Sequence, residues 1–256
     1  MPSWDADQYL RFAGERTQPA RDLAARIALS EPRRIIDLGC GPGNSTAILR
    51  QRWPAAQITG LDNSREMIAA ASGSYPEGKW ILSDAATWTA EIPFDIVFSN
   101  AALQWLPKHA ALFPHLFLQV ADGGALAVQM PAHFNSPLHR EILETAGDPR
   151  WKHLMQSAAN ALTKESPSFY YNLLEPLASR LELWETEYYH IMETPQDMLE
   201  WFRGTGLRPF LSALETEAEK RSFEEILLQR YIRSYPPQND GRILFPFRRL
   251  FIIAYK

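Results

Sequence analysis

Apolar residues in the first half of the chain come in short bursts. Arg34-Ile35-Ile36-Asp37-Leu38, Ile58-Thr59-Gly60-Leu61-Asp62, Trp80-Ile81-Leu82, Phe94-Asp95-Ile96-Val97-Phe98-Ser99 and Ala125-Leu126-Ala127-Val128-Gln129-Met130 read as five strands. They are apolar on both faces, as strands of a parallel sheet covered on both sides must be. Between them the spacing is helical. Thr17 to Leu29 predicts a helix with Pro19 in its first turn and Ala20, Leu23, Ala24 and Ile27 on one face. Asn44 or Ser45 can cap a helix running to about Arg52, Ser64 can cap one containing Met67 and Ile68, and Leu112 to Val120 predicts a fourth. Strands alternating with helices predict a doubly wound α/β fold.

The second half has a different texture. Residues 131–180 are rich in aromatics, histidine and proline, with helical patches and no clear strand. Leu181 to Met192 alternates as a strand does. Thr194-Pro195-Gln196-Asp197 starts a helix that ends near Gly204, with a capping threonine and proline at the first position. One further helix is expected over Leu211 to Tyr231, and a last strand over Leu244 to Tyr255. The expectation is one domain over 1–256: a mostly parallel seven-stranded sheet with its core at about 30–130 and added strands near 181–192 and 244–255. Helical insertions at about 131–180 and 195–235 are expected to cover the mouth of the sheet as a lid.

A chain of 256 residues that is 46% hydrophobic can bury its own core without disulfides or metal. The formal charge of −4 argues against a general nucleic-acid binder, which needs a basic face to release phosphate counterions. Cys40 is the single cysteine, so no internal disulfide can form. Met1-Pro2-Ser3-Trp4-Asp5 shows no basic region leading into an apolar stretch, and no long apolar run follows. A cytoplasmic protein with neither membrane nor nucleic-acid partner is expected.

The chemistry concentrates in Asp37-Leu38-Gly39-Cys40-Gly41-Pro42-Gly43, a glycine-rich turn between a strand and a helix, where doubly wound sheets bind nucleotides. It departs from the dinucleotide fingerprint: the third glycine comes one residue early, at Gly43, and Asn44 stands in its place. A carboxylate at Asp37 would repel a pyrophosphate and attract a ligand carrying an ammonium group. Asp62, at the end of the second strand, suits ribose hydroxyls. Asp84 suits an adenine amino group, with the Ala85 N–H facing the ring. Asn63, beside Asp62, is counted with them.

These motifs, with Ser99-Asn100-Ala101-Ala102-Leu103-Gln104-Trp105-Leu106, resemble the successive motifs of Rossmann-like S-adenosylmethionine methyltransferases. The resemblance implies S-adenosylmethionine as methyl donor, S-adenosylhomocysteine as product, and Asn100 within the donor site. Trp4, Tyr9 and Arg16-Thr17-Gln18-Pro19, Trp201 to Pro209, and Asp240 to Phe251 resemble a narrower family, the trans-aconitate 2-methyltransferases. That family methylates one carboxylate of trans-aconitate. Trp4, Tyr9 and Arg16 lie on an N-terminal segment that can fold over the donor as a lid, and Tyr9 and Arg16 are counted with the donor site.

A carboxylate is already a nucleophile at neutral pH, so such an enzyme needs orientation and exclusion of water rather than a general base. The six histidines form no metal-ligand set, and no metal or catalytic base is expected. A small polycarboxylate calls for forked cations. Arg203, Arg208 and Arg248 are the candidates, with His133 and Trp105 beside them. Arg248 and Arg249 point to opposite faces of a strand, so only one of them can face the site. The open alternatives are a methyltransferase for another small acid or a carrier-bound malonyl group, a nicotinamide oxidoreductase, a nucleic-acid methyltransferase, and a non-catalytic binder of the donor.

Overall fold

The computed structural model describes residues 13–163 and 165–256, with side chains from residue 17 onward. The five early strands are β1 (Arg34–Leu38), β2 (Gln57–Asp62), β3 (Lys79–Leu82), β4 (Phe94–Asn100) and β5 (Val120–Pro131). Helices α1 (Ala13–Arg26), α2 (Asn44–Arg52), α3 (Arg65–Ser74) and α4 (His109–Leu118) precede and connect them. With β6 (Arg180–Met192) and β7 (Ile243–Tyr255) they form one seven-stranded sheet in the order β3-β2-β1-β4-β5-β7-β6. β1 to β5 are parallel, and β7 runs antiparallel between β5 and β6. Strand order reverses between β1 and β4. Connections there leave in opposite directions and open a crevice at the carboxyl ends of the strands.

Alternation along each strand sends side chains to two separate cores. Ile35, Ile96, Phe98 and Ala127 join Leu23 of α1, Ile27 just after it and Leu49 of α2 on one face. Ile36, Val97, Leu126 and Ile252 join Leu112, Phe113 and Leu116 of α4 on the other. Both faces being covered explains the unbroken apolar runs.

A third core stands apart. Helices α5 (Pro137–Ala146), α6 (Gln156–Ala159), α8 (Pro195–Arg203), α9 (Arg208–Ala213) and α10 (Glu217–Ser234) pack around Phe202, Phe210, Phe223, Leu227 and Tyr231. They share this core with Met192, Ile243, Phe245 and Phe247. Arg249 pairs with Pro131 at the end of β5, so β7 residues 243–248 and their β6 partners extend past the parallel strands as a two-stranded ribbon. The helical cluster rests on that ribbon, above the crevice.

Three expectations need correction. The helix expected over Leu211 to Tyr231 is two helices, because Thr216 caps α10. Its hydroxyl accepts from Glu219 N at 3.2 Å, and the Glu219 carboxylate accepts from Thr216 N at 2.9 Å. Helix α7 (Pro167–Leu174) lies inside the stretch assigned to the mouth, yet Tyr170 and Leu174 are buried in the core of the sheet. The Tyr170 ring centroid is 4.7 Å from that of Phe113, so α7 covers a face of the sheet. α1 runs from Ala13 to Arg26 instead of ending at Leu29. Among the described residues no helix is long and apolar enough to cross a membrane.

Candidate active site

Gly39, Gly41 and Gly43 all adopt positive φ, at 68°, 54° and 95°. The N–H groups of Gly39 and Cys40 donate to Leu61 O at 2.7 and 3.0 Å, which pulls the turn against β2. A Cβ on Gly39 would lie 2.2 Å from the Ala102 Cβ, so glycine here lets the chain after β4 lie directly on the turn.

Helix α2 starts differently from expectation. Gly43 is its N-cap, with no side-chain cap. The hydroxyls of Ser45 and Thr46 donate instead to Asp37 Oδ2, at 2.7 and 2.6 Å. Asp37 is 0% exposed and is not among the residues lining the cavity described below. Burial pushes its carboxyl up to about 6, against the lowering effect of the two hydroxyls. Asp37 thus does not line the cavity as expected of a ligand contact: its Oδ2 ties α2 to β1 behind the turn, while its Oδ1 is buried without a hydrogen-bond partner.

Asp62 closes the next strand. Its Oδ2 accepts from Gly41 N and its Oδ1 from Ser64 N, both at 2.9 Å. Burial raises its carboxyl above the usual range. Asp84 Oδ1 accepts from Ala86 N at 2.9 Å, a local turn. Gly39, Cys40, Gly41, Asn44, Asp62, Asn63, Asp84, Ala85 and Asn100 all line one cavity of about 770 Å³. The Cys40 thiol is buried, and burial raises its pKa far above the ordinary value.

The same cavity continues under the helical cluster. Trp105, His133 and Arg208 line it, as expected. The Arg208 guanidinium lies 5.3 Å over the Trp105 ring. His133 sits among aromatic rings, with centroids 4.4 Å from Phe247 and 5.4 Å from Phe202.

Two expected arginines are elsewhere. Arg203 Nε and Nη2 each lie 2.7 Å from the Glu224 carboxylate, a two-pronged pair between α8 and α10 outside the cavity. Arg248 faces solvent beside Glu185 and Glu187, at 3.8 and 3.4 Å. Its neighbour Arg249 takes the inward place. It is 4% exposed, lines the cavity, and has Nη1 3.5 Å from Gln129 Oε1. A signal for this was present: Ile243, Phe245 and Phe247 are buried on one face of β7, and Arg249 shares their parity. Tyr9 and the side chain of Arg16 lie outside the described residues.

The cavity is therefore polarised. Among the described residues its carboxylates, Asp62 and Asp84, stand at the β2 and β3 ends, while Arg208 and Arg249 stand under the helices. It is large enough for a nucleoside-sized ligand with a small acid beside it. Asn44 Nδ2, Asn100 Oδ1 and Gln104 Oε1 are buried with no hydrogen-bond partner. A donor and two acceptors in need of partners fit a ligand that is both donor and acceptor, as the amino-acid tail of S-adenosylmethionine is. No cluster that could hold a metal occurs among the described residues.

Comparison with known proteins agrees with this geometry. Residues 35–124 match the model of a methyltransferase domain. The chain is 45% identical to a trans-aconitate 2-methyltransferase of Azoarcus sp., over the full length of both. It is 44% identical to one of Yersinia pestis, over 100% of this chain and 99% of the relative. Among solved structures it is similar to the YcgJ protein of Bacillus subtilis, with TM-score 0.61 and 15% identity over 93% of this chain and 98% of the other. It is also similar to Haemonchus contortus phosphoethanolamine N-methyltransferase 2 in complex with S-adenosyl-L-methionine. That match has TM-score 0.59 and 16% identity over 97% of this chain and 56% of the other. The two solved structures share the fold, while the full-length relatives carry the closer kinship: the chain belongs to the trans-aconitate 2-methyltransferase family.

Proposed function

We propose that this protein transfers the methyl group of S-adenosylmethionine to one carboxylate of trans-aconitate, giving a monomethyl ester and S-adenosylhomocysteine. The observation that carries the reading is the polarity of the cavity, with carboxylates beside the glycine turn and two arginines at the far end. The names of the full-length relatives support the choice of acid.

The donor, when bound, supplies a methyl group on a sulfonium whose leaving group is a neutral thioether. Asp62 is held by two backbone N–H groups and presents its remaining lone pairs to the ribose hydroxyls. Asp84 and the Ala85 N–H meet the adenine edge. Arg208 and Arg249 take carboxylates of the acid in forked hydrogen bonds, which turn the remaining carboxylate toward the methyl group. No residue removes a proton, because the carboxylate is ionised well below neutral pH. His133, Trp201, Phe202 and Phe247 wall off water on the acid side. Orientation and dehydration of this kind account for several kcal/mol of barrier lowering, on the order of 10²–10⁴ in rate. In this reading the cluster of α5, α6 and α8 to α10 acts as a lid, and the reaction takes place in the cytoplasm without a nucleic-acid or membrane partner.

The test is label transfer from methyl-labelled S-adenosylmethionine to trans-aconitate, run beside cis-aconitate, citrate, isocitrate and malonyl carrier protein. The expected result is a base-labile label on trans-aconitate. Label on the carrier protein, or on none of the acids, contradicts the reading.

A further inference from the structure

Gln129 is a polar residue in an apolar place. It is 0% exposed, and it follows Ala125 and Ala127 on the face of β5 that packs with Phe98, Phe251 and Ile253. An amide buried there costs stability unless it is bonded, and an apolar side chain would suit the fold better. Among the described residues the Gln129 side chain has one hydrogen bond. Arg249 Nη1 donates to its Oε1 at 3.5 Å, while its Nε2 has no partner. A guanidinium can only donate, so the amide oxygen is the atom that faces Arg249.

Register explains the meeting. Phe251 lies opposite Gln129, and Arg249 stands two residues earlier on β7, which makes it the diagonal neighbour on the same face. Arg249 lines the cavity and Gln129 does not. The Arg249 guanidinium carbon is 4.7 Å from the Phe247 ring centroid and 6.0 Å from that of Tyr188. Aromatic faces fix the plane of a guanidinium. They leave open the direction of its N–H groups within that plane, and a hydrogen bond to one terminal nitrogen removes that freedom. A carboxylate at this position would do the same, but would oppose the charge that an acid ligand needs. An amide directs the fork without neutralising it.

We infer that Gln129 is a positioning residue of the acid site: its side-chain carbonyl aims the Arg249 guanidinium into the cavity while touching no ligand itself. This rests on the reading that Arg249 receives a carboxylate of the acid, and adds the residue that gives that arginine one orientation. The backbone of Gln129 has a separate task. Its carbonyl accepts from Ala101 N at 2.9 Å, at the start of the segment after β4. That bond is indifferent to the side chain, so the donor end is left in place when the amide is changed.

The experiment measures two affinities by titration calorimetry: that of trans-aconitate for protein saturated with S-adenosylhomocysteine, and that of S-adenosylhomocysteine alone. Gln129→Met keeps the length of the side chain and removes the acceptor. The affinity for trans-aconitate is expected to fall about 10-fold, as for loss of one hydrogen bond to a charged group. The affinity for S-adenosylhomocysteine is expected to stay within about twofold, and the midpoint of urea unfolding to stay or rise, because an apolar side chain suits this face. In an Arg249→Met background, read as kcat/KM by label transfer, the same substitution is expected to cost less than about twofold more, since Gln129 acts through Arg249. Gln129→Glu tests the inference independently: its carboxylate pairs with the guanidinium and competes with the acid, so acid affinity is expected to fall at least as far. Unchanged acid affinity in either variant, or an undiminished further loss in the Arg249→Met background, would overturn the inference. A lowered unfolding midpoint with equal losses for both ligands would overturn it as well, and would mean that Gln129 serves the fold. If Arg249→Met itself binds trans-aconitate as well as the unmodified protein does, the acid reading beneath the inference is what fails.

Discussion

The two ends of the cavity are built in different ways. At the donor end the backbone does most of the positioning: three positive-φ glycines, a turn bonded to Leu61 O, and Asp62 held by the N–H groups of Gly41 and Ser64. At the end proposed for the acid, side chains do it, from elements far apart in sequence. Arg208 comes from α9, Arg249 from β7 and His133 from the loop after β5. A backbone-built site tolerates little change of sequence and suits a ligand common to many enzymes. A site built of side chains from separate elements can change its ligand by changing two or three residues.

The comparison is broken most strongly at Arg249. Arg249→Met is expected to lower kcat/KM for trans-aconitate on the order of 10²–10³-fold, as for loss of one partner of a buried charged contact, with donor affinity unchanged. Steady-state kinetics with a donor-binding titration checks both halves. Asp62→Asn is expected to do the reverse, weakening the donor about 10-fold or more and leaving the KM for the acid within about twofold.

Smaller effects sharpen the comparison through pH. Asp37 has a carboxyl pushed up from an ordinary 3.8 to about 6, chiefly by burial. Between those values the native state keeps a proton that the unfolded chain releases, so the group's stabilisation is present below about pH 4 and lost as pH rises through 6. The loss amounts to about 3 kcal/mol. Asp37→Asn is therefore expected to gain stability relative to the unmodified protein between pH 4.5 and 7.5, read by denaturant unfolding at both values. His190 is opposite in sign. Burial, aided by the charge of Arg249, lowers its pKa to about 4 from 6.5, so stability is lost as pH falls through that window. The two slopes oppose each other between about pH 4 and 6, and Asp37→Asn exposes the histidine's share. The smallest effects belong to Arg203→Met and Arg248→Met, which should leave kcat/KM within about twofold, because these side chains engage Glu224, Glu185 and Glu187 outside the cavity. A large loss of activity in either would return it to the site.

The same difference decides what is legible in the sequence. The donor end is contiguous: strand, glycine turn and strand-end acids follow one another from Asp37 to Ala85, and local spacing locates every one of them except Asp37's final orientation. That depends on Ser45 and Thr46 turning back to it, which a capping rule assigns to the helix end instead. The acid end depends on pairings across the chain. The choice of Arg249 over Arg248 is a matter of strand register, settled where Arg249 meets Pro131. Arg203 looks available in sequence, and only the packing of α8 on α10 brings Glu224 to it.

The most direct test of the two-ended account is to determine both Michaelis constants, for S-adenosylmethionine and for trans-aconitate, in Arg249→Met and Asp62→Asn side by side. The account predicts a crossed result, with the first variant impaired toward the acid alone and the second toward the donor alone. Parallel losses toward both substrates in both variants would contradict it, and would mean that the two ends of the cavity do not hold different molecules.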